Sequence, residues 1–205
     1  ICLMQGYITT FAGLPGTGKT SLASILSGVL GLQNQTNPRF SEISVEKGWT
    51  SYKDFIGYYN PFTSSLERSA AFEAFELLDD ESRACADSTK IPYFFLLDEA
   101  NLSSMEHYWS PFLRACDSFR KGPFPIPLGD RHTFMVPEYV RFIATVNFDH
   151  TTEELSPRFL DRSWIITLDP DNDAFDDDDR VSYAEFSEIT PFSYGKLMSV
   201  FGPKT

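Results

Sequence analysis

The chain has 205 residues, 42% hydrophobic and 15% aromatic, which is enough for one large α/β domain with an ample core. Its net charge of −12 is unevenly spread: residues 169–179 hold seven aspartates and no lysine or arginine, leaving −5 for the rest. That acidity argues against strong, broad nucleic-acid binding by these residues, and the longest apolar run, Tyr93 to Leu97, is far too short to span a membrane.

The first residues lack a basic segment followed by a long apolar one, so no secretion signal is expected. A start at Ile1 in place of Met leads us to expect a piece of a longer protein. Cys2, Cys85 and Cys116 are widely spaced and are expected to be reduced, buried thiols of a cytoplasmic protein. Neither they nor the three histidines offer a zinc spacing.

Tyr7 to Ala12 reads as the first strand. It runs into Gly13-Leu14-Pro15-Gly16-Thr17-Gly18-Lys19-Thr20, which fits the pattern Gly, four residues, Gly-Lys-Ser/Thr. Glycines here let the backbone curl so that successive N–H groups point into a phosphate-sized hollow. Lys19 brings positive charge to β- and γ-phosphates, and the Thr20 hydroxyl suits Mg²⁺. Gly13, Pro15, Gly16, Thr17, Gly18, Lys19, Thr20 and Ser21 are therefore the expected phosphate site. Leu22, Ile25, Leu26, Val29 and Leu30 then fall at helical spacing, with Gly31 placed to end the helix, whose positive dipole end faces the loop.

Phe40 to Val45 alternates as a second strand, and Trp49 to Phe62 reads as an aromatic-rich loop containing Gly57-Tyr58-Tyr59-Asn60-Pro61. Ala71, Ala74, Phe75 and Leu78 mark a helix. Tyr93 to Leu97 is continuous and apolar, as in a parallel strand buried on both faces, and it ends in Asp98-Glu99. Acids at the carboxyl end of such a strand sit where ligands bind in open α/β sheets. After a phosphate loop this is the Walker B pattern: Asp98 for the Mg²⁺ shell, Glu99 as general base. Trp109, Phe112, Leu113 and Cys116 predict another helix, and residues 126–136 a hairpin turning at Gly129-Asp130. That hairpin reads either as purely structural or as a pore or partner-contact loop. Arg141 to Val146 is a further buried strand with Asn147 at its end, and Trp164 to Leu168 a last one. Asp169, Asp171 and Asp173 alternate as a calcium loop requires, but Ala174 and Arg180 stand where it needs Gly and Glu, so the run is read as a solvated acidic linker. Alternating strands and helices predict a doubly wound, mostly parallel five-stranded sheet with an inserted hairpin.

Four signatures in order, Gly-Leu-Pro-Gly-Thr-Gly-Lys-Thr, Leu-Leu-Asp-Glu-Ala-Asn, Ala-Thr-Val-Asn and Leu-Ser-Pro-Arg-Phe-Leu-Asp-Arg, resemble the AAA+ family of ring-forming NTPases. The likeness covers about residues 7–168. The Gly-Tyr-Tyr-Asn-Pro segment, and the hairpin leading through Val136-Pro137 into the Thr-Val-Asn strand, look like the branch of McrB-type restriction motors and their MoxR-like and dynein/midasin-like neighbours. The resemblance implies that Asn147 is the sensor 1 residue, orienting the attacking water with Glu99. It implies that Arg162 is an arginine finger reaching a neighbouring subunit's γ-phosphate, a role Arg158 could share. It further implies Mg²⁺, ATP or GTP, a homo-oligomeric hexameric ring, and a protein or DNA target reached through domains outside this chain. Ser163 stands where the family usually has Phe after the finger, and Tyr183 to Thr205 is too short for a whole helical lid, so no sensor 2 residue is assigned. The expected organisation is a nucleotide-binding core over 1–168, an acidic linker over 169–182, and the start of an extension or lid remnant over 183–205. A nucleotide-controlled assembly module with slow hydrolysis, and a small-molecule kinase sharing the loop, are the competing functions.

Overall fold

The computed structural model describes residues 1–34, 36–84, 90–117, 122–148, 152–169 and 189–203. Cys85, and all of the expected 169–182 acidic linker after Asp169, lie outside the described residues. In chain order the elements are α1 (Cys2–Gln5), β1 (Ile8–Gly13), α2 (Lys19–Val29), β2 (Phe40–Ser44), α3 (Tyr52–Ile56), β3 (Gly57–Asn60), β4 (Ser65–Arg68) and α4 (Phe72–Arg83). They continue with β5 (Tyr93–Asp98), a 3₁₀ turn (Ala100–Leu102), α5 (Met105–Tyr108), α6 (Ser110–Asp117), β6 (Phe124–Gly129), β7 (His132–Val136), β8 (Val140–Asn147), α7 (Pro157–Leu160), β9 (Ser163–Leu168) and α8 (Tyr194–Phe201).

Five strands form one sheet in the order β2-β5-β8-β1-β9, and every neighbouring pair is parallel. The three central strands are buried on both faces, so their sequences are apolar on both sides instead of alternating; Thr10 and Arg141, polar residues among them, are hydrogen-bonded. The pleat still sorts them. Phe95, Leu97, Phe142, Ala144, Ile8 and Ala12 face one cluster, whereas Phe94, Leu96, Ile143 and Phe11 face the other. The first cluster is aromatic: Phe95 stacks on Phe142 at 5.3 Å between ring centres and on Phe75 of α4 at 4.8 Å, and Phe112 of α6 meets Phe142 at 4.6 Å. The second cluster packs under α2, α1 and α8, through Ala23, Leu3, Met4 and Leu197. The architecture is thus the doubly wound parallel five-stranded sheet that the sequence predicts, with helices on both faces. Among the described residues no helix is long and apolar enough to cross a membrane.

Three expectations are corrected. The apolar stripe of α2 does not face the core as a unit: Leu22, Ile25 and Val29 are 39%, 36% and 50% exposed, while Ala23, Ser27 and Gly28 are buried. A helix that starts directly from a tight loop lies close to the sheet, so small residues take the inner face; Leu26 and Leu30 pack only from the side. The segment from Trp49 to Phe62 is not a loop. Ser51 and Asp54 form a reciprocal cap that starts α3, and Gly57 then opens the β3–β4 hairpin. In the β6–β7 hairpin, Gly129 pairs with His132, so the turn is Asp130-Arg131, one residue later than expected. A bulge between Pro127 and Gly129 shifts the register. The two hairpins touch, with Tyr59 stacked on His132 at 5.1 Å and Tyr52 donating to the Pro127 carbonyl at 2.9 Å.

Candidate functional site

Parallel register brings the charged ends of three strands together. Gly13 of β1 lies beside Asn147 of β8, and Leu97 of β5 beside Ala144, which sets Asp98 next to Thr145. This carboxyl edge is where open α/β sheets bind ligands. The loop after β1 is built from glycines for two different reasons. Gly16 and Gly18 have φ of 82° and 78° with open space around them, so they are needed for the left-handed backbone. Gly13 is needed for close packing, because a Cβ there would lie 2.4 Å from the Leu168 carbonyl oxygen. Gly18 then starts α2, whose first free N–H groups point into the hollow.

Lys19 is buried, and its Nζ donates to the carbonyls of Gly13 at 3.1 Å and Leu14 at 2.6 Å. Burial holds its ammonium below the usual lysine range, against the upward pull of Asp98 and Glu99. Thr20 Oγ1 donates to Asp98 Oδ1 at 2.8 Å, joining the loop to the acid 78 residues later. One hydroxyl and one carboxylate, completed by phosphate oxygens and water, form a set of hard donors that fits Mg²⁺. Among the described residues no three His, Cys, Asp or Glu side chains gather to hold a metal by themselves. Pro15 and Ser21 are exposed at the rim, and Thr17 Oγ1 donates to the Leu14 carbonyl at 3.0 Å.

Glu99 follows Asp98 in a left-handed conformation, φ 52° and ψ 45°, and is exposed. That conformation is uncommon for a residue with a side chain and belongs to sites where surroundings impose it. Two residues to which the sequence assigned no role tie the strand ends on either side of it. The Thr145 hydroxyl donates to Asp98 Oδ1 at 2.6 Å and accepts the Glu99 N–H at 2.9 Å. Asn101 pairs with both backbone groups of Asn147: its Nδ2 donates to the Asn147 carbonyl at 2.8 Å, and its Oδ1 accepts the Asn147 N–H at 3.2 Å. The available signal was polarity inside an apolar run, since a buried hydroxyl or amide needs a partner. The Thr within Ala-Thr-Val-Asn is such a residue; Asn101, in a polar stretch after the acid pair, carried no such signal.

Lys19, Thr20, Asp98, Glu99 and Asn147 are therefore brought to one edge. Arg158 and Arg162 are not. Arg162 directly precedes β9, whose Ser163 pairs with Ile8 at the amino end of β1, while Leu168 pairs with Gly13 at the other end. That strand length, about 3.3 Å per residue or roughly 17 Å in all, separates Arg162 from the phosphate loop of its own chain. Arg162 is held there by Asp117, with Nε to Oδ1 at 2.9 Å and Nη2 to Oδ2 at 3.3 Å, and its Nη1 donates to the Arg158 carbonyl at 3.0 Å. The hydrogen bond to Asp117 raises its pKa further, so it is a permanent cation. Arg158 is exposed on α7, the short helix started by Pro157 and capped by Ser156. Arg162, Asp117, Asp161 and Trp164 line a cavity of about 440 Å³ at this amino edge.

Neither a family model nor a curated protein matches this chain. Among solved structures, a "putative ATPase" from Cytophaga hutchinsonii is similar at 21% identity, with a TM-score of 0.48. The likeness covers 82% of this chain and 44% of that one, so the chain spans less than half of that protein's length. On its own geometry, the chain carries a glycine-rich loop with a buried lysine, the paired acids and a parallel five-stranded sheet that brings them to one edge.

Proposed function

We propose that this chain binds ATP or GTP with Mg²⁺ and hydrolyses it, as the motor module of a ring of identical subunits. The observation that carries the proposal is the 2.8 Å hydrogen bond from Thr20 to Asp98, which gathers a phosphate loop and an acid pair at one sheet edge. In this reading the loop N–H groups and Lys19 hold the phosphates, and Thr20 and Asp98 hold the metal. Bound Mg²⁺ would neutralise charge on the β- and γ-phosphate oxygens. Glu99 takes a proton from the attacking water, which Asn147 orients. The water oxygen bonds the γ-phosphorus as the bond from that phosphorus to the β,γ-bridging oxygen breaks, giving inorganic phosphate and leaving the nucleoside diphosphate with the electron pair.

The ring belongs to the same proposal. A permanent cation set roughly 17 Å from its own loop acts, in this reading, in a neighbour's site, with Arg162 as the finger and Arg158 beside it. A hexamer that remodels a protein or nucleic-acid complex in the cytoplasm, with McrB-like DNA restriction as its sharpest version, completes the reading. One observation favours a second version, nucleotide-controlled assembly with slow hydrolysis: the Asp117 carboxylate already occupies Arg162. A kinase reading gives no reason for Arg162 to stand where it does.

Light-scattering mass with and without Mg²⁺ and a slowly hydrolysed ATP or GTP analogue tests the assembly. Growth from monomer to ring with one analogue is expected and identifies the base; a chain that binds nucleotide but stays monomeric with both overturns the ring and both arginine roles. Glu99→Gln is expected to bind nucleotide as before and to lose turnover by about a hundredfold or more. Turnover near that of the unmodified chain would remove Glu99 from the role of base.

A further inference from the structure

The end of β5 and the end of β8 are tied by two buried polar side chains that phosphate binding does not itself require. Thr145 is 2% exposed, and its hydroxyl uses both its donor and its acceptor capacity, toward Asp98 at 2.6 Å and the Glu99 N–H at 2.9 Å. Asn101 is 3% exposed and matches its amide to both backbone groups of Asn147, extending the hydrogen-bond pattern of β8 by one side-chain rung. The main chain of Asn101 adds a further tie by accepting the Glu153 N–H at 2.8 Å. Between these bonds sits Glu99, in a backbone region that a glutamate does not favour by itself.

We propose that Thr145 and Asn101 are positioning residues for the site: they form a bracket that sets the left-handed turn at Glu99 and locks it to Asn147. The proposal rests on the hydrolytic reading above. Base and water-orienting amide come from different strands, and hydrolysis needs both aimed at one water. With the bracket, the two strand ends move as one unit. Without the Thr145 hydroxyl, the Glu99 N–H loses its partner and Asp98 loses a donor, so the turn keeps the Leu102 N–H bond to the Glu99 carbonyl at 2.9 Å but loses its tie to β8 at Thr145. Thr145 touches neither metal nor phosphate in this account; it acts through Asp98 and Glu99.

The test uses the full chain with Thr145→Val, which keeps the shape and removes the hydroxyl, and Thr145→Ser, which keeps the hydroxyl. Three readouts are compared: hydrogen exchange of the Glu99 amide by NMR, affinity for a fluorescent ATP or GTP analogue, and steady-state turnover. For Thr145→Val, Glu99 exchange is expected to rise and kcat to fall by about ten- to a hundredfold, with KM and nucleotide affinity within about threefold. Thr145→Ser should restore exchange and kcat to within about threefold, a rescue that lost packing would not give. Unchanged Glu99 exchange and kcat in Thr145→Val overturn the proposal, and so does a Thr145→Ser chain as impaired as Thr145→Val. If Thr145→Val does not fold, Asn101→Asp decides: it keeps the size but presents an acceptor where the Asn147 carbonyl needs a donor. Its kcat should fall by about tenfold or more with nucleotide affinity retained, and an unchanged kcat overturns the bracket. A chain in which Glu99 exchange responds to Thr145→Val while the unmodified protein turns over neither ATP nor GTP overturns the hydrolytic reading instead, and with it the catalytic purpose of the bracket.

Discussion

Single side chains in this protein differ most in what burial does to their protons. Lys19 stays close to loop carbonyls and to two acids, and these polar partners temper the cost of its burial. Cys116, by contrast, is pushed up to about 12 from an ordinary 9.0, first by burial and then by the nearby Asp117. A raised acid pKa means that the folded chain keeps a proton which the unfolded chain releases. The associated stability is therefore complete below about pH 9 and is lost as pH rises from about 9 toward about 12. Two outcomes follow. At pH 8 the native Cys116 thiol should resist iodoacetamide until denaturant is added, because the thiolate is the nucleophile. Cys116 and Cys2 are only half-buried, not fully buried as expected. Unfolding free energy measured in urea between pH 8 and 11 should nonetheless fall more steeply than for Cys116→Ala, and equal slopes would contradict the account of a desolvated thiol.

Elements owe their ends to single residues. The helix α2 stops because Leu32 N–H returns to the Ser27 carbonyl at 2.9 Å and Gly31 takes φ 73°. Gly31 also has no room for a side chain, since a Cβ there would lie 2.8 Å from the Ile189 carbonyl oxygen and 2.9 Å from Pro191. Gly31→Ala thus meets both a backbone penalty of about 1 kcal/mol or more and a collision with backbone. Gly16→Ala meets only the first, because nothing lies within 4 Å. Urea midpoints should show Gly31→Ala as clearly the less stable of the two. Equal losses would mean that the segment before α8 does not press on the end of α2. The outward stripe Leu22, Ile25 and Val29 carries a related lesson: helical spacing reveals that α2 is a helix, but the side it buries depends on how near the sheet lies.

At the scale of the whole molecule, the sheet separates two chemistries by its own length. The glycine-rich loop and the acid pair stand at the carboxyl edge, and Arg162 with Asp117 at the amino edge. The fully buried Arg141 helps to close the molecule, donating to the Leu3 carbonyl of α1 at 2.7 Å and to the Tyr194 hydroxyl of α8 at 2.7 Å. Its guanidinium also lies 5.1 Å from the Tyr194 ring centre. The described part of the C-terminal segment is thereby packed on the core. The separation of edges makes the shared-site model testable by mixing. Arg162→Ala alone should lose turnover while keeping nucleotide binding, and Lys19→Ala alone should lose binding. Combined, the two should recover part of the activity, since mixed interfaces pair an intact loop with an intact arginine. Normal turnover by Arg162→Ala would end that model for this residue.

The order of strands and helices, the glycine-rich turn after β1 and the acid pair ending β5 were legible in the sequence because each is a local property. Spacing sets a helix, continuous apolarity marks a doubly buried strand, and a run of glycines shapes its own loop. The β3–β4 hairpin was hidden because a stretch dense in aromatics and turn residues has no clear period, and only packing against its neighbours pairs it. Asn101 and Thr145 were visible as letters but not as parts. Their partners come from other strands, Asn147 for Asn101, Asp98 and Glu99 for Thr145, and only parallel register brings them within hydrogen-bond distance. Sequence alone determined which groups are available for the chemistry. Tertiary structure decided which of them meet, since a contact across 46 residues of chain exists only once the sheet is assembled.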